Sequence, residues 1–202
     1  MIDLIVMVAD KNAEYAVRGA IDRFHSLQTR AFSTEFRVHP GHDGGARNSG
    51  PELLSSERRR FSAALLILDY EGCGDTRPPT QIESDLDRQL AQAWGDRAKS
   101  IVVQPEIDAW VWGVDNALVE LLRWPKESLP RDWLRQQGFT FDHEGKPLRP
   151  KEALESLVES ARQARSSALY SKITSKISLD RCTDSAFYRV KQTLQRWFPP
   201  EQ

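Results

Sequence analysis

Short apolar runs alternate with amphipathic segments along the first half of the chain. Ile2–Val8 and residues 64–68 and 100–103 are largely apolar, which is typical of strands buried on both faces. Residues 32–38 alternate apolar and polar side chains and predict a further strand. Because helical periodicity separates these strands, the pattern predicts an α/β fold with a mostly parallel central sheet of about four strands flanked by helices.

The connecting segments are predicted from the same pattern. Apolar residues at helical spacing predict helices over residues 12–28 and 81–94. Residues 39–51 are rich in glycine, proline, asparagine and aspartate, so we predict a loop there, followed by a short helix at 52–60.

Helical periodicity dominates after about residue 112. We predict helices over residues 107–122, 131–137, 151–165, 168–177 and 185–197. The tryptophans of the middle of the chain are expected to pack between sheet and helices: Trp110, Trp112, Trp124 and Trp133. The predicted organisation is therefore an α/β domain over residues 1–112 and a helical C-terminal layer or subdomain over 113–202 packed on it.

Composition narrows the function only slightly. A net charge of −1 over 202 residues favours neither nucleic acid nor a membrane surface as a partner. Cys73 and Cys182 lack the spacing of a zinc site, and we interpret them as reduced thiols of a cytoplasmic protein. The apolar residues 2–9 are too few for a membrane-spanning helix and lack the features of a signal peptide.

Acidic residues follow several of the predicted strands. Asp10 comes after the first strand, and Asp69 and Glu71 end the apolar run at 64–68 just before two glycines. Glu106 follows the fourth strand. Because parallel strands end at one edge of the sheet, we expect these carboxylates to converge and to repel one another unless a cation joins them. Carboxylate oxygens suit Mg²⁺ or Mn²⁺, so the sequence predicts a divalent metal site.

Structural roles compete with this interpretation. Acidic residues also cap helices, and for Glu106 and Asp108 capping is as well supported as metal binding. We interpret Glu14 as a solvated helix position.

Other charged groups give weaker signals. His39 and His42 in the predicted loop are interpreted as incidental rather than as metal ligands, and Arg47 as a weak candidate for phosphate contact. The arginine run at 58–60 could contact nucleic acid or a partner, and we interpret it instead as a solvated face.

Two segments carry a resemblance to a known family. A strand ending in an acid, then a strand ending in two spaced acids before glycine, resembles the Toprim domain of topoisomerases, primases and OLD-family nucleases. Residues 66–72 (LILDYEG) and 105–112 (PEIDAWVW) resemble a branch of Toprim-like proteins found in bacterial defence gene clusters. The whole chain, including residues 146–151 and 196–199, is similar to a component of the methylation-associated phage-defence system.

The resemblance implies a site. Asp10 matches the acid that acts in acid/base chemistry at the phosphodiester or binds metal, and Asp69 with Glu71 matches the pair that binds Mg²⁺. The chain departs from the family pattern at two of these positions. Asp10 is followed by Lys11 where the family has glutamate followed by glycine, and Glu71 stands where the family has aspartate.

Three functions remain open at this point. The first is a component of anti-phage defence with a Mg²⁺-binding acidic site that cleaves phosphodiesters of nucleic acid, with other defence proteins as partners. The second is a non-catalytic scaffold or interaction module within such a complex. The third is a phosphohydrolase or phosphotransferase acting on small molecules.

Overall fold

The computed structural model describes residues 1–113, 115–164, 166–176 and 184–201. Its centre is a sheet of four parallel strands in the order β2-β1-β3-β4. The strands are β1 (Ile2–Val8), β2 (Thr34–Val38), β3 (Phe61–Asp69) and β4 (Ala98–Val103). The predicted fold class is confirmed, and the sheet is wholly rather than mostly parallel.

Helices connect the strands and cover both faces of the sheet. They are α1 (Lys11–Ile21), α2 (Phe24–Leu27), α3 (His42–Ser56) and α4 (Pro79–Trp94), with 3₁₀ turns at Gly95–Arg97 and Ile107–Gly113. The chain moves outward from β1 to β2 and then back past β1 to β3. Since parallel crossovers are right-handed, this reversal places α1 on one face and α3 and α4 on the other.

Two apolar cores result, one on each face of the sheet. Residues of opposite parity in β1 separate between them, so that Leu4 and Val6 face one core and Ile5 and Met7 the other. The smaller core lies under α3 and α4. The larger lies under α1 and the C-terminal half. Strands β1, β3 and β4 are largely buried and show nearly continuous apolar runs, whereas the edge strand β2 is only partly buried and alternates.

The C-terminal half is helical, as predicted. It contains α5 (Asp115–Leu122), α6 (Pro130–Gln136), α7 (Pro150–Ser160), α8 (Ser167–Thr174) and α9 (Ser185–Trp197). Helix α8 can pack closely against α1 because Gly19 of α1 has no side chain. A Cβ at this position would be 2.5 Å from the carbonyl oxygen of Ser171. Trp110 and Trp112 are buried in the core below these helices. The predicted boundary at residue 112 stays a prediction.

The predicted loop at residues 39–51 is wrong. Helix α3 begins at His42 and includes most of this segment. Packing favours glycine at two of its positions: a Cβ at Gly45 would be 2.6 Å from the His39 ring, and one at Gly50 would be 3.1 Å from Leu66. Tertiary packing therefore overrides the poor helix propensity of the segment.

Three predicted helices have different limits from those expected. The helix predicted over 12–28 is wrong as one piece, since it divides into α1 and α2 with a left-handed Gln28 (φ 59°) after them. The helix predicted at 52–60 is the end of α3 and stops at Ser56. The helix predicted over 107–122 is a 3₁₀ turn followed by α5. Residues 165 and 177, at the ends of two further predicted helices, and Cys182 lie outside the described residues.

The free edge of β4 is covered by side chains. Glu83 of α4 is 4% exposed and accepts a hydrogen bond of 2.8 Å from the Val102 N–H. Asp87 accepts one of 2.7 Å from the Ser100 N–H. Arg189 of α9 donates to Glu83 at 2.7 Å. These contacts satisfy strand N–H groups that an edge would otherwise leave unpaired.

None of the described helices combines the length and apolar character needed to cross a lipid bilayer.

Candidate functional site at the carboxyl edge of the sheet

The reversal of strand order lies between β1 and β3. In doubly wound sheets, the helices that follow the two strands at such a point diverge to opposite faces and leave a crevice at the carboxyl ends, where ligands bind. Six acidic residues lie along this edge, and we call them the acidic edge: Asp10, Asp43, Asp69, Glu71, Glu106 and Asp108.

Asp10 follows β1 and is the N-cap of α1. Its backbone is extended (φ −150°, ψ −179°), and its Oδ1 accepts a hydrogen bond of 2.8 Å from the Ala13 N–H. This contact satisfies one of the free N–H groups of the helix. The second carboxylate oxygen has no protein partner among the described residues. Asp10 thus combines a capping role with one oxygen available for a ligand.

Asp69 is the last residue of β3 and lies next to Asp43. The Asp69 carboxylate accepts a hydrogen bond of 2.8 Å from the Ile107 N–H, at the start of the 3₁₀ turn after β4. The Asp69 backbone N–H in turn donates to Asp43 Oδ1 at 2.7 Å. Asp43 lies in the first turn of α3. The ends of β2, β3 and β4 are therefore joined through two carboxylates.

Glu71, Glu106 and Asp108 extend the edge beyond β4. Glu71 is exposed, and its N–H donates to the Pro105 carbonyl at 3.0 Å, which holds the two segments side by side. Glu106 accepts a hydrogen bond of 3.3 Å from the Lys151 N–H at the start of α7. Asp108 is 4% exposed and accepts one of 2.6 Å from the Tyr170 hydroxyl.

Burial and mutual repulsion raise the pKa values of Asp43, Asp69 and Glu106. Loss of hydration and the neighbouring Asp43 hold the pKa of Asp69 well above its usual range, with further contributions from Asp108 and Glu106. Loss of hydration and Asp108 raise the pKa of Glu106 to about 7. The pKa of Asp43 is raised by loss of hydration and by Asp10. Ionisation of these three carboxyls is therefore unfavourable unless a proton or a cation offsets their charge.

The edge has the donor chemistry of a magnesium site. Carboxylate oxygens are the ligands that Mg²⁺ prefers, and a cation would remove the repulsion that raises these pKa values. In the part of the chain that the structure describes, no three His, Cys, Asp or Glu side chains are grouped as they would be around one ion. The carboxylates share an edge rather than one point, and the ligand set Asp10, Asp69, Glu71 and Glu106 stays a prediction.

Three nearby groups have structural roles. Arg47 donates to the Cys73 carbonyl at 2.7 Å and so holds the turn after β3. Glu14 is 8% exposed and pairs with Lys11 at 2.6 Å and Arg18 at 3.0 Å, so it is not the solvated position that the sequence indicated. His39 Nδ1 accepts from the Gly41 N–H at 3.0 Å, which leaves Nε2 as the donor to Ser49 Oγ, also at 3.0 Å. A histidine in this tautomer cannot act as a base toward Ser49.

Asp43 is the member of the edge that the sequence does not single out. The glycine-rich segment around it predicts a loop, in which Asp43 accompanies two incidental histidines. A signal is present, because Asp43 follows β2 much as Asp10 follows β1. Its importance depends on α3 beginning at His42, which the glycine-rich sequence conceals.

No protein-family model, curated protein or solved structure matches this chain, so its functional interpretation depends on the residues of the acidic edge.

Proposed function

We propose that the acidic edge binds a divalent cation, Mg²⁺ or Mn²⁺, and that the protein uses it to cleave phosphodiesters of nucleic acid. One observation carries the proposal. Asp69 lies at the point where the strand order reverses, and its burial together with the repulsion of neighbouring carboxylates raises its pKa. A cation is the partner whose charge would offset that repulsion. The resemblance to the Toprim domain supports the same assignment.

Each residue has a proposed part in this chemistry. Asp69 and Glu71 would hold the ion with Glu106, and we add Asp43 because it touches the Asp69 backbone. The ion, when bound, supplies charge that stabilises the leaving oxygen of the phosphate. Asp10 has one oxygen free of the helix cap, which would bind metal or exchange a proton with the substrate.

The proposal is tested with Asp69→Asn. The amide keeps the shape of the side chain and can still accept from the Ile107 N–H, but it lacks the negative charge. We expect at least about a tenfold loss of Mn²⁺ affinity in calorimetry and loss of metal-dependent cleavage of single-stranded and duplex DNA and RNA.

The matched control is Asp132→Asn, an exposed carboxylate on α6 that pairs with Arg135. It changes the net charge equally and should leave metal binding and cleavage unchanged. Cleavage that persists in Asp69→Asn, or a wild-type protein that binds neither ion, would contradict the proposal.

The alternative is a non-catalytic scaffold. It is favoured by the hydrogen bonds in which Asp10 and Asp69 already hold backbone N–H groups. Under this alternative, the carboxylates stabilise the fold, and Asp69→Asn would change stability without any metal-dependent readout. Metal-dependent turnover of nucleotides instead of nucleic acid would indicate a small-molecule phosphohydrolase.

We extend the proposal to the role that the resemblance implies, a cytoplasmic component of anti-phage defence that acts with other proteins. Cells carrying the complete defence system should lose protection in plaque assays when this chain carries Asp69→Asn. Unchanged protection after deletion of the chain would contradict this role.

A further inference from the structure

We infer that the opposite edge of the sheet, at the amino ends of the strands, binds the phosphate backbone of nucleic acid through Arg58, Arg59 and Arg97. We call these three residues the arginine edge. The inference goes beyond the proposed function, because it concerns a surface at the other end of the strands and requires no metal ion.

The three arginines lie at neighbouring strand ends. Arg58 and Arg59 belong to the turn that leads into β3, and Arg97 immediately precedes β4. Strands β3 and β4 are paired, and paired strands lie about 5 Å apart. Arg58 and Arg59 are exposed, and Arg97 is partly exposed. All three arginines therefore lie at the amino-terminal end of the sheet, with Arg97 level with Ala63 of β3.

Aromatic rings support two of these side chains from below. The guanidinium carbon of Arg58 lies 5.5 Å from the ring centre of Trp94. That of Arg97 lies 5.8 Å and 5.7 Å from the rings of Trp197 and Phe198. Both arginines also donate to backbone carbonyls, Arg58 to Ala93 and Arg97 to Ser62. A guanidinium held in place loses less conformational freedom when it binds a phosphate.

The arginine edge takes part in no ion pair in the part of the chain that the structure describes. Within the described ranges, neither Arg58, Arg59 nor Arg97 forms an ion pair, whereas the neighbouring Arg60 pairs with Glu57 at 2.9 Å and Arg30 with Asp3 at 2.8 Å. The positive charge of the edge is thus available to a ligand. The overall charge of −1 conceals this arrangement, because unneutralised acids and unpaired arginines lie at opposite ends of the strands.

A nucleic-acid backbone fits this surface better than a membrane or an acidic protein. The forked guanidinium matches phosphate oxygens, and a backbone repeats its charge so that three arginines can bind at once. The rings beneath are buried (Trp94 3%, Trp197 5% and Phe198 0% exposed), so they cannot insert into a bilayer. Strand β3 has 9 residues and separates the two edges by about 30 Å. The arginine edge would thus hold nucleic acid away from the acidic edge.

The test measures binding of fluorescent single-stranded DNA, duplex DNA and RNA by the full chain in EDTA, across salt concentrations. The triple variant Arg58→Gln, Arg59→Gln, Arg97→Gln should bind at least about tenfold more weakly at about 50 mM salt. The slope of log affinity against log salt should fall by about two to three for duplex DNA. Arg59→Gln alone gives a second readout, because Arg59 makes no contact in the described structure that folding would need.

A control variant tests whether binding is specific to the arginine edge. Arg88→Gln with Arg135→Gln removes exposed arginines of α4 and α6 and should leave binding unchanged. Because the assay contains EDTA, it does not depend on the proposed metal site, which distinguishes failure of this inference from failure of the proposed function. A wild-type chain that binds no nucleic acid, a triple variant that binds as well as wild type, or preferential binding of poly-glutamate or phosphatidylserine vesicles would overturn the inference.

Discussion

Gly45 shows how one residue positions the start of α3 and, with it, Asp43. The ring of His39 lies against Gly45 and is held between the Gly41 N–H and the Ser49 hydroxyl. Because His39 is only 6% exposed, the ring has little room to move away. The glycine that suggested a loop in the sequence is the residue that lets helix and histidine pack together.

We predict that Gly45→Ala destabilises the protein by about 1–3 kcal/mol, because the new methyl group would overlap the His39 ring. The effect should appear as a lower midpoint of urea denaturation. Gly44→Ala is the matched control in the same helix turn. A Cβ there would be 3.6 Å from the nearest atom, the Gly72 carbonyl oxygen. Alanine favours helix by about 1 kcal/mol over glycine, so Gly44→Ala should be neutral or stabilising. Equal stability of the two variants would contradict the packing argument.

Among the elements, β4 depends most on groups outside the sheet. It is an edge strand, and its outer N–H groups donate to side chains of α4 instead of to another strand. Glu83 makes two contacts: it accepts a hydrogen bond from the Val102 N–H, and it forms an ion pair with Arg189 of the C-terminal half. The pair therefore also joins α9 to the sheet.

We predict that Glu83→Ala lowers the free energy of unfolding by about 3 kcal/mol, because it leaves the Val102 N–H and the Arg189 charge without a partner. A double-mutant cycle with Arg189→Ala should give a coupling energy of about 1–3 kcal/mol. Glu120→Ala is the control, since Glu120 pairs with Lys176 at 2.5 Å on the surface and should cost under about 1 kcal/mol. A loss no larger for Glu83→Ala than for Glu120→Ala would refute the role of this pair.

Strands β1, β3 and β4 could be predicted because burial on both faces requires a nearly continuous apolar sequence, and β2 because its residues alternate. The limits of α3 could not be predicted. They depend on packing against His39 and Leu66, whereas the glycines and the proline within the segment indicate a loop. The same difference applies to the site. Asp10 and Asp69 follow recognisable strands, whereas Asp43 enters the edge only when α3 begins where it does.

For the whole molecule, the separation of charge makes stability depend on pH in an unusual direction. Asp43, Asp69 and Glu106 of the acidic edge have raised pKa values in the folded state. Asp3 and Glu14, which form ion pairs, have lowered pKa values. The paired groups stabilise the fold above the unfolded pKa and lose that effect in acid. The three raised carboxyls have the opposite sign, so their contribution to stability is lost as the pH rises through their folded pKa values.

The sign can be tested at Glu106. Between its usual pKa of 4.5 and the folded value of about 7, the folded chain binds more protons than the unfolded chain, so stability falls as pH rises and stays reduced above pH 7. Glu106→Gln is neutral throughout. It should match wild type near pH 4.5 and exceed its free energy of unfolding by about 1–2 kcal/mol at about pH 8, a figure that allows for partial screening. Urea denaturation across this range measures the difference. Glu52→Gln, at an exposed position of α3, is the control and should change the free energy of unfolding equally at both pH values. A similar pH-independent change in Glu106→Gln would show that Glu106 is not under repulsion.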